Sequence, residues 1–149
     1  MNRTTGISWL VTAALFAAIQ LVPVERTNPP VERDIPAPPG VKAVLKRACY
    51  DCHSNETNWP WYSRIAPISW MVARDVREAR AERNFCTWNR YSAKEQASRL
   101  SESWETVAEG DMPLKFYVAP HRGARLSGHD RALLQRWAAN HSERSMSTR

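Results

Sequence analysis

The sequence is poor in glycine and cysteine, with five glycines and three cysteines among 149 residues. It contains no glycine-rich loop of the kind that binds phosphates, no nucleophile elbow of a hydrolase and no HExxH helix of a metalloprotease. Apolar and polar residues do not alternate over any useful length, and no internal repeat is present. The missing motifs count against the nucleotide-binding, hydrolase and zinc-protease classes. The missing strand pattern favours an all-α fold.

Length and charge set the next limits. A chain of 149 residues is long enough for one core of ordinary size, so we expect a single folded domain. The net charge of +6 favours association with acidic partners or an anionic membrane surface. The basic residues are spread along a predicted helix between Arg74 and Arg83 and do not form a block, so nucleic acid is not an expected partner.

The amino-terminal region is apolar. Residues 7–24 carry no charge, and as a helix they would extend about 27 Å, close to the thickness of a bilayer core. We therefore interpret residues 1–24 as a signal or transmembrane anchor with its amino terminus in the cytoplasm. Because no clear cleavage site is present, we expect retention in the bacterial inner membrane, with release into the periplasm as the alternative. Residues 25–40 contain five prolines and predict an extended spacer.

Four helical patterns follow in residues 41–141, the predicted globular domain, before a polar tail over residues 142–149. They run from Val41 to near His53, from Ile68 to Ala79, from Ser92 to Gly110 and from Ser127 to His141. The third pattern opens with a capping box of Ser92 and Glu95, and the fourth has the same device in Ser127 and Asp130.

The residues with the clearest chemical signature are Cys49, Cys52 and His53, in the order CYDCH. On a helical turn, positions i, i+3 and i+4 share one face, so both thiols and the imidazole are expected to point the same way. Two thiols can then reach the two vinyl groups of a porphyrin while the imidazole binds its iron. This spacing is the attachment motif of c-type haem.

Other interpretations of the two cysteines stay open. A disulfide between Cys49 and Cys52 would close a very tight loop, and a redox-active CxxC is more typical of a βαβ unit. A zinc site would need a fourth ligand such as Cys86, and the adjacent Cys52 and His53 rarely both reach one tetrahedral ion.

The stretch from CYDCHSNETNWPWYS to NF, the later GDMP segment and a closing helix ending in RWA together resemble the bacterial haem-binding-domain family of small c-type cytochrome-like proteins. The resemblance covers about residues 40–140. It implies a cytochrome c-like helical domain with one covalently attached haem c and its iron, in an anchored or exported protein. Where the family usually has serine after the Asn-Phe pair, this chain has Cys86.

The second axial ligand is expected later in the chain. Met112 is the strongest candidate because it lies in a loop after a predicted helix, beside a proline that stiffens the backbone. A thioether opposite a histidine raises the reduction potential and suits electron transfer. His121, in another loop, is the alternative ligand.

Aromatic and basic residues near the motif are candidate contacts of the porphyrin. We expect Trp59 and Trp61 to pack on it, since their loop follows the motif directly. Arg64 or Arg122 could pair with a propionate. Cys86 is expected to be a buried thiol, and the alternative is a disulfide joining two copies of the chain.

With two protein ligands on the iron, no position is open for a substrate. We therefore expect an electron carrier with redox partner proteins, and not an enzyme. The alternatives are a peroxidase-like haem enzyme using His121 as acid and base, and a gas or redox sensor with a labile distal ligand.

Overall fold

The computed structural model describes the backbone of residues 3–147 and the side chains of residues 5–141. Seven α-helices occur in this part of the chain. They are α1 (Arg3–Ile19), α2 (Pro39–Ala48), α3 (Tyr50–His53), α4 (Ile68–Glu82), α5 (Ala93–Glu109), α6 (Lys115–Val118) and α7 (Gly128–Ser147). Short 3₁₀ turns occupy Trp61–Arg64, Trp88–Arg90 and Arg122–Ala124. The described residues contain no strand, only one isolated bridge between Arg33 and Thr87, so the predicted all-α class is confirmed.

The amino-terminal helix is shorter than the sequence predicts. It ends at Ile19, where the amides of Gln20 and Leu21 each bond to a carbonyl three residues back, and Pro23 follows. Its 17 residues extend about 25 Å. Among the described residues, no helix combines the length and apolarity needed to cross a membrane. The predicted transmembrane anchor is therefore not supported.

The proline-rich segment does not stand free of the domain. The amide of Ile35 donates to the carbonyl of Phe85 at 2.8 Å, and the amide of Arg33 donates to the carbonyl of Cys86 at 3.0 Å. The Ile35 side chain is 1% exposed and belongs to the hydrophobic core. Residues 25–38 lack a helix, as their prolines predict, and they pack along the domain. Helix α2 begins at Pro39, within the predicted spacer over residues 25–40.

The core lies between α2, α5 and α7, with α5 packed along α7 and α2 in contact with both α3 and α7. The caps explain where the two long helices begin and end. Ser92 and Glu95 form the predicted capping box of α5, and Gly110 ends this helix with a left-handed φ of 85°. At the start of α7, the Ser127 amide and hydroxyl both donate to the Asp130 carboxylate, and the Asp130 amide donates to the Ser127 hydroxyl at 3.2 Å. Helix α7 continues to Ser147, through most of the predicted tail.

Candidate haem site

The CxxCH motif occupies the break between α2 and α3. Cys49 ends α2 with φ −128° and ψ −33°, and α3 begins at the next residue. The amides of Cys52 and His53 then bond to the Cys49 carbonyl at 3.2 and 2.9 Å, which closes a single turn. This turn brings Cys49, Cys52 and His53 to the wall of the same cavity, as the spacing predicts.

The cavity has a volume of about 220 Å³ and an apolar wall. Residues of α2 to α7 and of the segments after α4 and α5 contribute to this wall, and its large apolar members include Leu45, Phe85, Leu100, Trp104, Val107, Leu114, Leu134 and Trp137. An apolar wall of this kind suits a large, flat, hydrophobic group such as a porphyrin.

His53 is buried and held in one orientation. Its Nδ1 lies 3.2 Å from the carbonyl oxygens of Ala79 and Arg83, at the end of α4. Burial lowers the pKa of His53, so the imidazole is neutral at pH 7. With Nδ1 facing backbone carbonyls, Nε2 is the nitrogen available to a metal.

The two thiols are kept protonated. Burial raises the pKa of Cys49 to about 12 and the pKa of Cys52 to about 11. A redox-active CxxC depends on a lowered thiol pKa, and zinc binds the thiolate, so this environment counts against both alternatives. Within the described residues, no group of three or more histidine, cysteine, aspartate or glutamate side chains is arranged to hold a metal ion.

Met112 lines the same cavity as the motif. It lies two residues beyond Gly110, and its amide bonds to the Thr106 carbonyl at 3.1 Å, which turns the loop back over the end of α5. The structure therefore brings Cys49, Cys52, His53 and Met112 together around one space. His121 does not line this space; its ring stacks on Tyr117 with centroids 4.3 Å apart.

The structure does not bring the two expected tryptophans to the cavity. Trp61 is 75% exposed, and Trp59 lines a separate surface depression with Trp70. Trp104 and Trp137 line the cavity in their place. The helical periodicity of α5 and α7 places Trp104 and Trp137 on apolar faces, and this periodicity is the sequence signal for their burial. Closeness to the CxxCH motif in the chain does not predict which tryptophans line the cavity.

The other candidates from the sequence also lie elsewhere. Arg64 and Arg122 are exposed and do not line the cavity. Cys86 is 0% exposed and its sulfur lies 4.0 Å from a Glu56 carboxylate oxygen, so the expected buried thiol fits the structure better than a disulfide between two copies.

Two hydrogen-bond donors in the cavity wall suggest what it holds. Trp137 and Arg83 line the cavity, and Nε1 of Trp137 and Nε of Arg83 are buried with no hydrogen-bond partner in the described part of the protein. Orphaned donors of this kind are costly unless a ligand supplies acceptors. Apolar walls, two thiols, a neutral imidazole, a thioether and unpaired donors together fit a haem with its carboxylate groups.

Comparison with known proteins agrees with a haem-binding domain. The family model described as haem-binding domain matches residues 14–140, which include every residue of the cavity wall. The chain belongs to the haem-binding domain family. No curated protein matches the chain, and no solved structure does. The match begins within α1 and includes the proline-rich segment, in agreement with the packing of that segment on the domain.

Proposed function

We propose that this haem-binding domain carries one haem c, bound by thioether bonds to Cys49 and Cys52, and that it transfers single electrons in the bacterial periplasm. The observation that carries the proposal is that Cys49, Cys52, His53 and Met112 line one cavity. When bound, the haem iron supplies a reversible one-electron couple.

The attachment residues are in the right chemical state for this role. Each thiol would add across one vinyl group, its sulfur bonding to one carbon and its hydrogen to the other, so that no oxidant is required. The raised pKa values of Cys49 and Cys52 keep the thiols protonated and slow their oxidation to a disulfide. Because haem is attached to CxxCH motifs on exported chains, the motif supports a periplasmic location.

Axial ligation decides between a carrier and an enzyme. His53 offers Nε2 from a neutral ring fixed by two backbone carbonyls, and Met112 offers a thioether from the loop after α5. If both bind iron, no site remains for a substrate, and the thioether raises the reduction potential. His121 stacks on Tyr117, a residue of the cavity wall, but does not itself line the cavity, which counts against His121 as the acid or base of a peroxidase-like mechanism.

The test is optical spectroscopy of the holoprotein and two variants. We expect the unmodified protein to show low-spin haem with a sulfur-to-iron charge-transfer band and no binding of carbon monoxide. Met112→Ala should lose the band and bind carbon monoxide, whereas the control His121→Ala should match the parent. High-spin iron that binds carbon monoxide in the parent protein would overturn the carrier function in favour of a haem enzyme or a sensor.

A further inference from the structure

Arg83 is a buried cation in the wall of the haem cavity. It caps the carboxyl end of α4, and its own amide bonds to the Ala79 carbonyl at 2.9 Å. The Arg83 side chain is 7% exposed. A guanidinium so far from water is costly unless its donors meet acceptors, so each N–H group needs a partner.

The protein supplies acceptors for only part of this guanidinium. One terminal nitrogen donates to the Ser103 hydroxyl at 2.7 Å, and the other donates to a Glu82 carboxylate oxygen at 2.9 Å. The nearest oxygen of Glu102 is 3.8 Å from that second nitrogen. Nε is buried and meets no acceptor among the described residues.

The missing acceptor has a defined chemistry. The acceptor for Nε of Arg83 must be an oxygen that can reach this nitrogen in a mostly apolar cavity. A negatively charged oxygen is favoured, because the guanidinium is positively charged. A haem brings such oxygens in its two propionates, at one edge of an otherwise apolar ring. The glutamates beside Arg83 do not fill this role, since Glu82 and Glu102 are 60% and 50% exposed and their charges are largely screened by water.

We propose that Nε of Arg83 donates a charge-assisted hydrogen bond to a propionate of the bound haem. Arg83 would then contact both the axial ligand and the haem, because its backbone carbonyl accepts from Nδ1 of His53 while its side chain holds the propionate. The proposal replaces Arg64 and Arg122 in this role. It depends on haem lying in the cavity and not on covalent attachment or electron transfer.

The test compares resonance Raman spectra and reduction potentials of the full-length holoprotein and its variants. Arg83→Lys keeps the charge but removes Nε, and Arg83→Met removes both, while Arg122→Met is the control from the exposed surface. We expect the propionate bending band to shift in both Arg83 variants and to stay in place in Arg122→Met. Loss of the positive charge in Arg83→Met should favour ferric iron about tenfold, which lowers the potential by about 59 mV for a one-electron couple.

An unmoved propionate band in Arg83→Lys at full haem content would overturn the proposal, because a merely structural role would leave that band unchanged. The haem content of each sample is measured as the pyridine complex. It separates an unmoved propionate band in a haem-loaded variant from a variant that fails to bind haem. If the Arg83 variants do not fold, a crystal structure of the parent holoprotein decides. A propionate oxygen within about 3.2 Å of Nε supports the proposal, and any other acceptor there contradicts it.

Discussion

The Nδ1 atom of His53 lies 3.2 Å from the carbonyl oxygen of Arg83, a residue 30 positions later in the chain. A second carbonyl, that of Ala79, lies at the same distance. The end of α4 therefore fixes both the tautomer and the orientation of the ring. When Nδ1 of a histidine donates a hydrogen bond in this way, the other ring nitrogen, which binds the metal, becomes more basic.

The first prediction concerns this ring. His53→Ala should leave a space beside the iron that free imidazole can enter, because the surrounding carbonyls remain in place. We expect the variant to lose the low-spin spectrum of the parent and to recover it on addition of imidazole. His129→Ala, at an exposed position in the first turn of α7, is the control and should need no rescue. A parent-like spectrum in His53→Ala without imidazole would remove His53 from the iron.

The second prediction concerns which tryptophans serve the cavity. Trp137 is 7% exposed and lines the cavity, so Trp137→Ala should cost about 3–5 kcal/mol in the free energy of unfolding and shift the haem absorption maximum. Trp61 is 75% exposed, so Trp61→Ala should stay within about 0.5 kcal/mol of the parent with an unchanged spectrum. Urea unfolding followed by absorption measures both. Equal effects of the two substitutions would contradict this assignment.

These two tryptophans illustrate what the sequence could and could not predict. The sequence predicts the start and the end of a helix where nearby residues determine them. Examples are α5, between Ser92 and Gly110, and the single turn after Cys49. The contacts of the cavity wall depend on how α5 and α7 pack together, which no local pattern contains. Closeness to the motif in sequence predicts Trp61 as a porphyrin contact, whereas the structure leaves Trp61 75% exposed and places Trp137 in the cavity wall.

The amino-terminal region shows a second limit. Composition predicts an extended segment over residues 25–40, and residues 25–38 contain no helix before α2 begins at Pro39. It does not show that the Ile35 amide bonds to the Phe85 carbonyl, 50 residues away. The uncharged stretch predicts a helix over residues 7–24, whereas α1 ends at Ile19, four residues before Pro23.

The third prediction concerns the pH dependence of stability. Hydrogen bonds from the Ser127 side chain, aided by Arg47 at 2.5 Å, lower the pKa of Asp130 to about 2 from 3.8. Because the folded-state pKa is the lower one, the stabilisation is complete well above pH 3.8 and is lost as the pH falls towards 2. Asp130→Asn should therefore reduce the free energy of unfolding by about 1–2 kcal/mol at pH 7 and by much less at pH 2.

Thermal unfolding of the parent and Asp130→Asn across this pH range measures the effect. Asp111→Asn, at an exposed carboxylate, serves as the control and should differ little from the parent at either pH. A gap between the parent and Asp130→Asn that persists undiminished at pH 2 would show that the carboxylate charge is not responsible.

The fourth prediction concerns the number of free thiols. Cys86 is fully buried, so a thiol reagent should not label the folded holoprotein. After denaturation in the presence of a reductant, one thiol should react in the parent and none in Cys86→Ser, because Cys49 and Cys52 are tied up in thioether bonds. Three reactive thiols in the parent would mean that the haem, if present, is bound without those bonds.

The central claim is that the cavity beside α3 holds a haem joined covalently to Cys49 and Cys52. Its most direct test is the intact mass of the denatured protein, purified from a bacterial host that can mature c-type cytochromes. We predict a polypeptide heavier by the mass of one haem, and a Cys49→Ala/Cys52→Ala variant whose polypeptide carries no such addition. A parent polypeptide with the mass of its amino acids alone would contradict the account.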